Sequence, residues 1–214
     1  TTTQYVTKPI IIGTDLFVGA QDNNAAFAGQ PGGRVYKVNM TTGATSSLDL
    51  SSGTNTGEIK GLGKDASNRL YALYQEGFLS FLFNASVLRI DPTSLTLDTS
   101  YGTGGRAAIP DAQHLFGNGA ANSAQVVPVF DSTENLFVYA DHKTNSNSKV
   151  YSFDNAGVRR TSHEITLNNR FTFDQSTSPV ISGDKLYFAS DNSAGGAFNP
   201  SMIHGYDVSG AGAP

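Results

Sequence analysis

Short apolar runs, each opened by a polar turn, recur four times along the chain: GTDLFVGAQD from Gly13, SNRLYALYQE from Ser67, TENLFVYADH from Thr133 and SGDKLYFASD from Ser182. A leucine anchors each run, at Leu16, Leu70, Leu136 and Leu186. After a loop of variable length comes a second run: RVYKVN ending at Asn39, VLRID ending at Asp91, KVYSFD ending at Asp154 and IHGYD ending at Asp207. Every copy therefore closes on Asn or Asp, and glycine or a Pro-Thr-Ser turn comes next. A further strand is expected before each anchor, at 9–12, 59–62, 126–130 and 179–181. An outer strand is expected after each of the first three Asn/Asp turns, at 44–50, 95–101 and 158–167. Apolar and polar residues alternate imperfectly, as in Val35 and Lys37 against Tyr36 and Val38, which is the pattern of a sheet buried on both faces. No useful helical period appears.

The second strands, marked by Val35, Val87, Val150 and Ile203, lie 52, 63 and 53 residues apart, the size of a four-stranded propeller blade. The expected fold is all-β: one β-propeller domain or propeller fragment of four antiparallel blades, either a closed small propeller or part of a larger seven- or eight-bladed one. The blades run over 7–50, 57–101, 123–167 and 176–214. The fourth copy stops at Asp207-Val208-Ser209-Gly210 without an outer strand of its own. Residues 1–6, rich in Thr, Tyr and Val, are expected to supply it and close the ring, which removes an exposed edge.

Composition narrows the function classes. The chain has 214 residues, with 15% charged, 23 Gly, 13 Phe and 9 Tyr, too many strand-forming aromatics for disorder. With 14 Lys+Arg, a net charge of −4 and no basic run, it lacks the footprint that nucleic acid or an anionic membrane surface needs. Neither partner is expected. The absence of cysteine excludes disulfides, zinc-thiolate sites, iron–sulfur clusters and thiol catalysis. With no initiator Met, basic-then-apolar leader or long apolar stretch, the chain reads as a mature protein or an excised domain. Abundant Thr, Ser, Asn and Gly with few Lys points to an extracellular, periplasmic or cell-surface location in a bacterium or archaeon.

The segment SPVISGDKLYFAS follows the pattern Ser-Pro-Val-Ile-x-Gly-Asp-x-Leu-Tyr, and RVYKVNMTTG is close to the Val-Tyr-x-x-Asp-x-x-Gly that comes after a turn, with Asn39 in place of the Asp and Gly43 one residue late. This resembles the quinoprotein-type (PQQ-like) β-propeller repeat over nearly the whole chain. LDTSYGTGGR at 97–106 also resembles the tail of the delta-sixty repeats of bacterial secreted proteins. In the quinone-binding members the resemblance implies a cofactor held between a tryptophan and a vicinal disulfide over calcium. This chain has neither Trp nor Cys, so no quinone cofactor is expected, and Phe and Tyr must fill the seams where tryptophan docks neighbouring blades.

Acidic residues recur at the end of the strand that each leucine opens: Asp22, Glu76, Asp141 and Asp191. On a propeller these loops share one rim, where four carboxylates could bind a cation such as calcium. Alternatively they only initiate turns. The same loops differ in character. Repeats one and four place Phe27 and Phe198 among small polar residues, whereas repeat two carries Phe78, Phe81 and Phe83 in EGFLSFLFN. These aromatics either pack under a neighbouring blade or form an exposed binding patch. The histidines His114, His142, His163 and His204 have no metal-ligand spacing, and no Gly-x-Ser-x-Gly elbow occurs. No catalytic residue is assigned.

Three functions fit this reading. The first is a noncatalytic binding or adhesion module presenting its rim to a protein or glycan. The second is a carbohydrate-active lyase or hydrolase on a propeller scaffold, with carboxylates about 5 to 9 Å apart. The third is a structural component of a larger surface assembly, joined to further blades or subunits.

Overall fold

Each of the four repeats folds into its own antiparallel sheet. The computed structural model describes residues 5–21, 33–50, 57–76, 84–110, 112–114, 127–142, 148–166, 179–190 and 202–209. The first sheet has β1 (Tyr5–Val6) and β2 (Ile10–Ile12) side by side along β3 (Asp15–Gln21), then β4 (Arg34–Asn39) and β5 (Thr45–Asp49). The second runs from β6 (Gly57–Lys64) through β7 (Leu70–Glu76) to β8 (Asn84–Asp91), whose far edge carries both β9 (Thr96–Leu97) and β10 (Arg106–Ile109). In the third, β11 (Ala112–His114) and β12 (Val129–Phe130) pair with β13 (Leu136–His142), followed by β14 (Ser148–Phe153) and β15 (Ile165–Thr166). The fourth is three-stranded: β16 (Val180–Ser182), β17 (Lys185–Ser190) and β18 (Met202–Asp207).

Four expectations need correction. The outer strand expected at 158–167 is a strand only at Ile165–Thr166, because a 3-10 turn at Thr161–His163 takes up the segment before it. Tyr5 and Val6 do not close a ring on the last sheet; they pair with Gln21 and Ala20 of the first. Thr7 secures that pairing, because its N–H donates to the Gly19 carbonyl while its hydroxyl accepts the Gly19 N–H. The outer strand expected at 95–101 is broken after Leu97 by an excursion and resumes at Arg106, opposite Leu88. The inner strand of the third sheet likewise comes in two pieces, with His114 opposite Asp141 and Phe130 opposite Leu136.

The repeated Asn or Asp closes each hairpin through its own side chain. Asn39 accepts the N–H groups of Thr41 and Thr42, Asp91 those of Thr93 and Ser94, Asp154 those of Ala156 and Val158, and Asp207 that of Ser209. A short polar side chain satisfies orphan backbone donors in this way and fixes the turn. The first turn of each repeat divides the sheets into two kinds. The outer two use two-residue hairpins containing Gly13 and Gly183, at φ of 59° and 58°, a conformation glycine adopts without steric penalty. The inner two use longer turns opened by Asp65 and Asp131, which accept the N–H groups of Arg69 and of Thr133 and Asn135.

The buried core falls into three clusters, one at each junction of consecutive sheets. Strand register shows how they are built. In every copy the anchoring leucine is followed by an aromatic, giving Leu16-Phe17, Leu70-Tyr71, Leu136-Phe137 and Leu186-Tyr187. Neighbours along a strand point to opposite faces. Leu70, Leu136 and Leu186 therefore join the cluster shared with the preceding sheet, while Phe17, Tyr71 and Phe137 join the cluster shared with the following one. None of the three clusters joins the first sheet to the fourth among the described residues. The sheets form a consecutive arc.

The excursion at 98–105 ties the second sheet to the third. Arg89, 5% exposed, donates to Asp98 at 2.7 Å, to Ser100 at 2.6 Å and to the Asn155 carbonyl at 2.7 Å, and its guanidinium lies over the Tyr101 ring. The Gly102 N–H donates to the Ala156 carbonyl. A Cβ on Gly157 would come within 2.8 Å of the Gly102 nitrogen and 2.9 Å of the Tyr101 ring, so the turn of the third sheet can approach only as glycine. The segment that resembles a delta-sixty tail is thus a clamp between sheets.

Candidate functional site

In a propeller the sheets are set radially around a central channel; β1/β2, β6, β11/β12 and β16 are the first strands of the four sheets, the position expected to face that channel, and β6 carries charge. Its sequence, GEIKGLGK, sets Glu58 and Lys60 among glycines and apolar residues. The pairing with β7 slips between Ile59 and Gly61, leaving Lys60 as the extra residue of a bulge. Bulges re-aim a side chain and cluster near functional sites. Here the Lys60 ammonium meets the Glu58 carboxylate, with only 16% and 13% of the two side chains exposed. Burial pulls the Lys60 ammonium down to about 8, while the touching carboxylate acts in the opposite direction.

The surroundings are polar at one end and sealed at the other. Glu58 stands opposite the buried Gln75. Ile59 points the other way, into the junction with the first sheet, where a Cβ on Gly33 would come within 3.0 Å of it. The Tyr74 hydroxyl donates to the Leu50 carbonyl across the same junction. A carboxylate, a partly depressed ammonium and an amide thus stand together at one end of β6. Such a set can exchange hydrogen bonds with a hydroxyl-rich ligand, and its ammonium can trade a proton near neutral pH.

Of the acids expected to share a rim, Glu76 is the last residue of β7, opposite Gly57, and Asp141 lies near the end of β13, opposite Ser148. Both strand ends correspond, and Glu76 is next to the residue that faces Glu58. The backbone therefore puts Glu76 and Asp141 at matching ends of adjacent sheets. Asp22 and Asp191 follow directly on β3 and β17 and lie outside the described residues, as do Phe27, Phe78, Phe81, Phe83 and Phe198. Among the described residues no three His, Asp or Glu side chains form a group that could hold a metal ion. No helix among them is long and apolar enough to cross a membrane.

The sequence reading did not single out Glu58 and Lys60. The available signal was an acid and a base two residues apart inside an inner strand otherwise written in Gly, Ile and Leu. Two further charge clusters also escaped it. Glu164, whose side chain is 2% exposed, is held by Arg159 at 2.5 Å and Lys149 at 2.6 Å. Asp65, also buried, is bound by Arg69, which reaches on to Glu134 of the third sheet. Both have structural tasks.

No protein-family model and no curated protein matches the sequence. Solved structures do. The β-propeller domain of the Trilobed protease from Pyrococcus furiosus, described as having an open velcro topology, superposes with a TM-score of 0.54 at 9% identity, over 98% of this chain and 56% of that one. An exo-β-1,3-galactanase from Phanerochaete chrysosporium, solved with β-1,3-galactotriose, gives 0.53 at 14% identity over 95% and 47%. An exo-β-1,3-galactanase from Clostridium thermocellum gives 0.51 at 9% identity over 95% and 46%. The chain spans about half the length of these proteins. At such identities the likeness concerns the fold: an all-β arrangement of four antiparallel sheets of the β-propeller kind.

Proposed function

We propose that this chain is a carbohydrate-active propeller segment whose saccharide site includes the inner end of β6. The observation that carries the proposal is the half-buried Glu58–Lys60 pair at a bulge on an innermost strand, in a fold similar to propellers named as β-1,3-galactanases. Glu58 supplies a carboxylate for hydroxyl recognition or proton transfer. Glycoside hydrolysis needs a second carboxyl at about 5 to 10 Å, and Glu76 and Asp141 at the same rim are the residues proposed to provide it. The noncatalytic adhesion reading finds no support among the structural neighbours. The quinoprotein-type repeat rests on the sequence pattern, and the cell-surface or extracellular location on composition.

The test is titration calorimetry with β-1,3-galactotriose and a panel of other oligosaccharides, together with reducing-sugar release. Binding that Glu58→Gln weakens at least about tenfold, with hydrolysis lost in the same variant, supports the proposal. Absence of binding and of hydrolysis across the panel overturns it.

A further inference from the structure

The Leu-aromatic pair that builds every junction is left incomplete at the two ends of the arc. On the first sheet, Leu16 occupies the position from which Leu70, Leu136 and Leu186 bury themselves against a preceding sheet, yet Leu16 is only half-buried. Register places Ile11, Val38 and Leu16 in one cross-strand row, with Tyr36 and Val18 in the next row of that face; Ile11 is 51% exposed and Tyr36 38%. On the fourth sheet, Tyr187 occupies the position from which Phe17, Tyr71 and Phe137 enter the following junction, and it is 37% exposed where those three are at 0–1%. Val180, opposite Tyr187, is 59% exposed, and Ile203 is 81% exposed on the same face.

Each end therefore presents what the other lacks. The open face of the first sheet offers a leucine and calls for an aromatic; the open face of the fourth offers an aromatic and calls for a leucine. Each also carries one ion pair of opposite charges, Arg34–Asp49 and Lys185–Asp207, so bringing the faces together sets no single-sign patch against another. We propose that the open face of the fourth sheet docks onto the open face of the first sheet of a second copy of this chain. Repeating the contact head to tail closes a two-chain ring of eight sheets, with two identical junctions of the kind already found three times within the chain. This chain covers 56% of the β-propeller domain of the Trilobed protease, so a ring of that kind holds more sheets than the four found here. A heterologous contact of this sort closes only when its rotation does and otherwise generates an open filament, so a discrete dimer in place of a polymer is part of the prediction.

Analytical ultracentrifugation of the 214-residue chain tests the proposal. The expected result is a dimer at micromolar concentration. Ile11→Lys and Ile203→Glu each strike one face, and because both positions are exposed the variants keep the circular dichroism of the parent. Each variant alone should be monomeric, its dissociation constant raised at least about tenfold. Mixed, they should associate partly, because one of the two junctions then pairs two unmodified faces. A parent chain that stays monomeric at high micromolar concentration overturns the proposal and leaves the faces to further blades of a longer polypeptide. A dimer disturbed by only one of the two variants also overturns it, since that is an isologous contact through a single face.

Discussion

The second and third sheets differ from the first and fourth in one respect that the repeat itself does not encode: the number of faces they bury. Along β7 every residue from Leu70 to Gln75 is buried, and along β13 every residue from Leu136 to Ala140. Along β3 the buried residues are Phe17 and Gly19, alternating with half-buried ones, and on β17 Leu186 is buried between the exposed Lys185 and Tyr187. The apolar strand and the Leu-aromatic pair are common to all four. Position in the arc decides which side chains are core, because a sheet with one neighbour shows the alternation of a half-exposed sheet and a sheet with two loses it.

Equivalent substitutions should therefore differ most at the anchoring leucines. Leu136, 1% exposed, has sheets on both sides of its strand, so Leu136→Ala should cost about 2–5 kcal/mol in transfer and cavity terms. Leu16→Ala should cost less than about 1 kcal/mol in the monomer, because the lost methylenes leave a half-open surface. Urea denaturation of both variants at sub-micromolar concentration measures the contrast. Equal losses would show that the first sheet is covered as the inner ones are.

Much of this architecture was legible in the chain. Four copies of a leucine-led strand ending in an Asn/Asp-closed hairpin announce four antiparallel sheets, because turn chemistry and period-two strands act over a few residues. The edges were not legible. Thr96–Leu97 and Arg106–Ile109 form one sheet edge interrupted by a clamp, and the clamp exists because Arg89, in mid-strand, finds its partners in Asp98, Ser100 and the Asn155 carbonyl. Nothing local to Arg89 names a carbonyl 66 residues away. Tyr5–Val6 pairs with the first sheet and not the last for a related reason: a strand's propensity does not name its partner, and the Thr7–Gly19 hydrogen bonds that do are long-range. Glu58 and Lys60 were passed over because neither belongs to the repeat.

The clamp gives the next largest effect, and it too belongs to the inner pair of sheets. Arg89→Met removes three charge-assisted hydrogen bonds but leaves Asp98 able to reach water, since 30% of its side chain is exposed. The expected loss is about 2–3 kcal/mol. Hydrogen exchange should show the Gly102 amide, bonded to the Ala156 carbonyl, losing protection while β3–β4 amides keep theirs. Uniform loss over all sheets would mean that the arc unfolds as one unit and that the clamp has no local role.

A smaller effect follows from Lys60. Folding lowers its pKa to about 8 from an ordinary value near 10.4, so between those values the unfolded chain holds more protons and raising the pH favours the fold. From about pH 7 to about pH 9.5 the parent should gain about 1–2 kcal/mol, and Lys60→Met should flatten that rise. Above about pH 10 the slope reverses, because unfolded tyrosines ionise while burial and the neighbouring Asp65 hold the Tyr71 hydroxyl up to about 12. A parent without the rise would show that Glu58 keeps the ammonium charged, and Lys60 would then not exchange a proton near neutral pH.

The smallest effect should come from the ion pair on the open face of the first sheet. Arg34 meets Asp49 at 3.1 Å with 33% and 42% of their side chains exposed, whereas Arg69 reaches Asp65 at 2.6 Å with the Asp65 side chain fully buried. Exposed pairs contribute about 0–1 kcal/mol and are screened by salt. Asp49→Asn should accordingly change monomer stability by less than about 1 kcal/mol, and 0.5 M salt should erase the difference. Asp65→Asn should be costlier and indifferent to salt, since it leaves Arg69 and the Tyr71 hydroxyl short of the carboxylate they share. In the two-chain ring the first pair would be drawn into a junction and partly desolvated. If Asp49→Asn then shifts the dimerisation constant while leaving the monomer's unfolding midpoint in place, the difference between outer and inner sheets is one of missing neighbours.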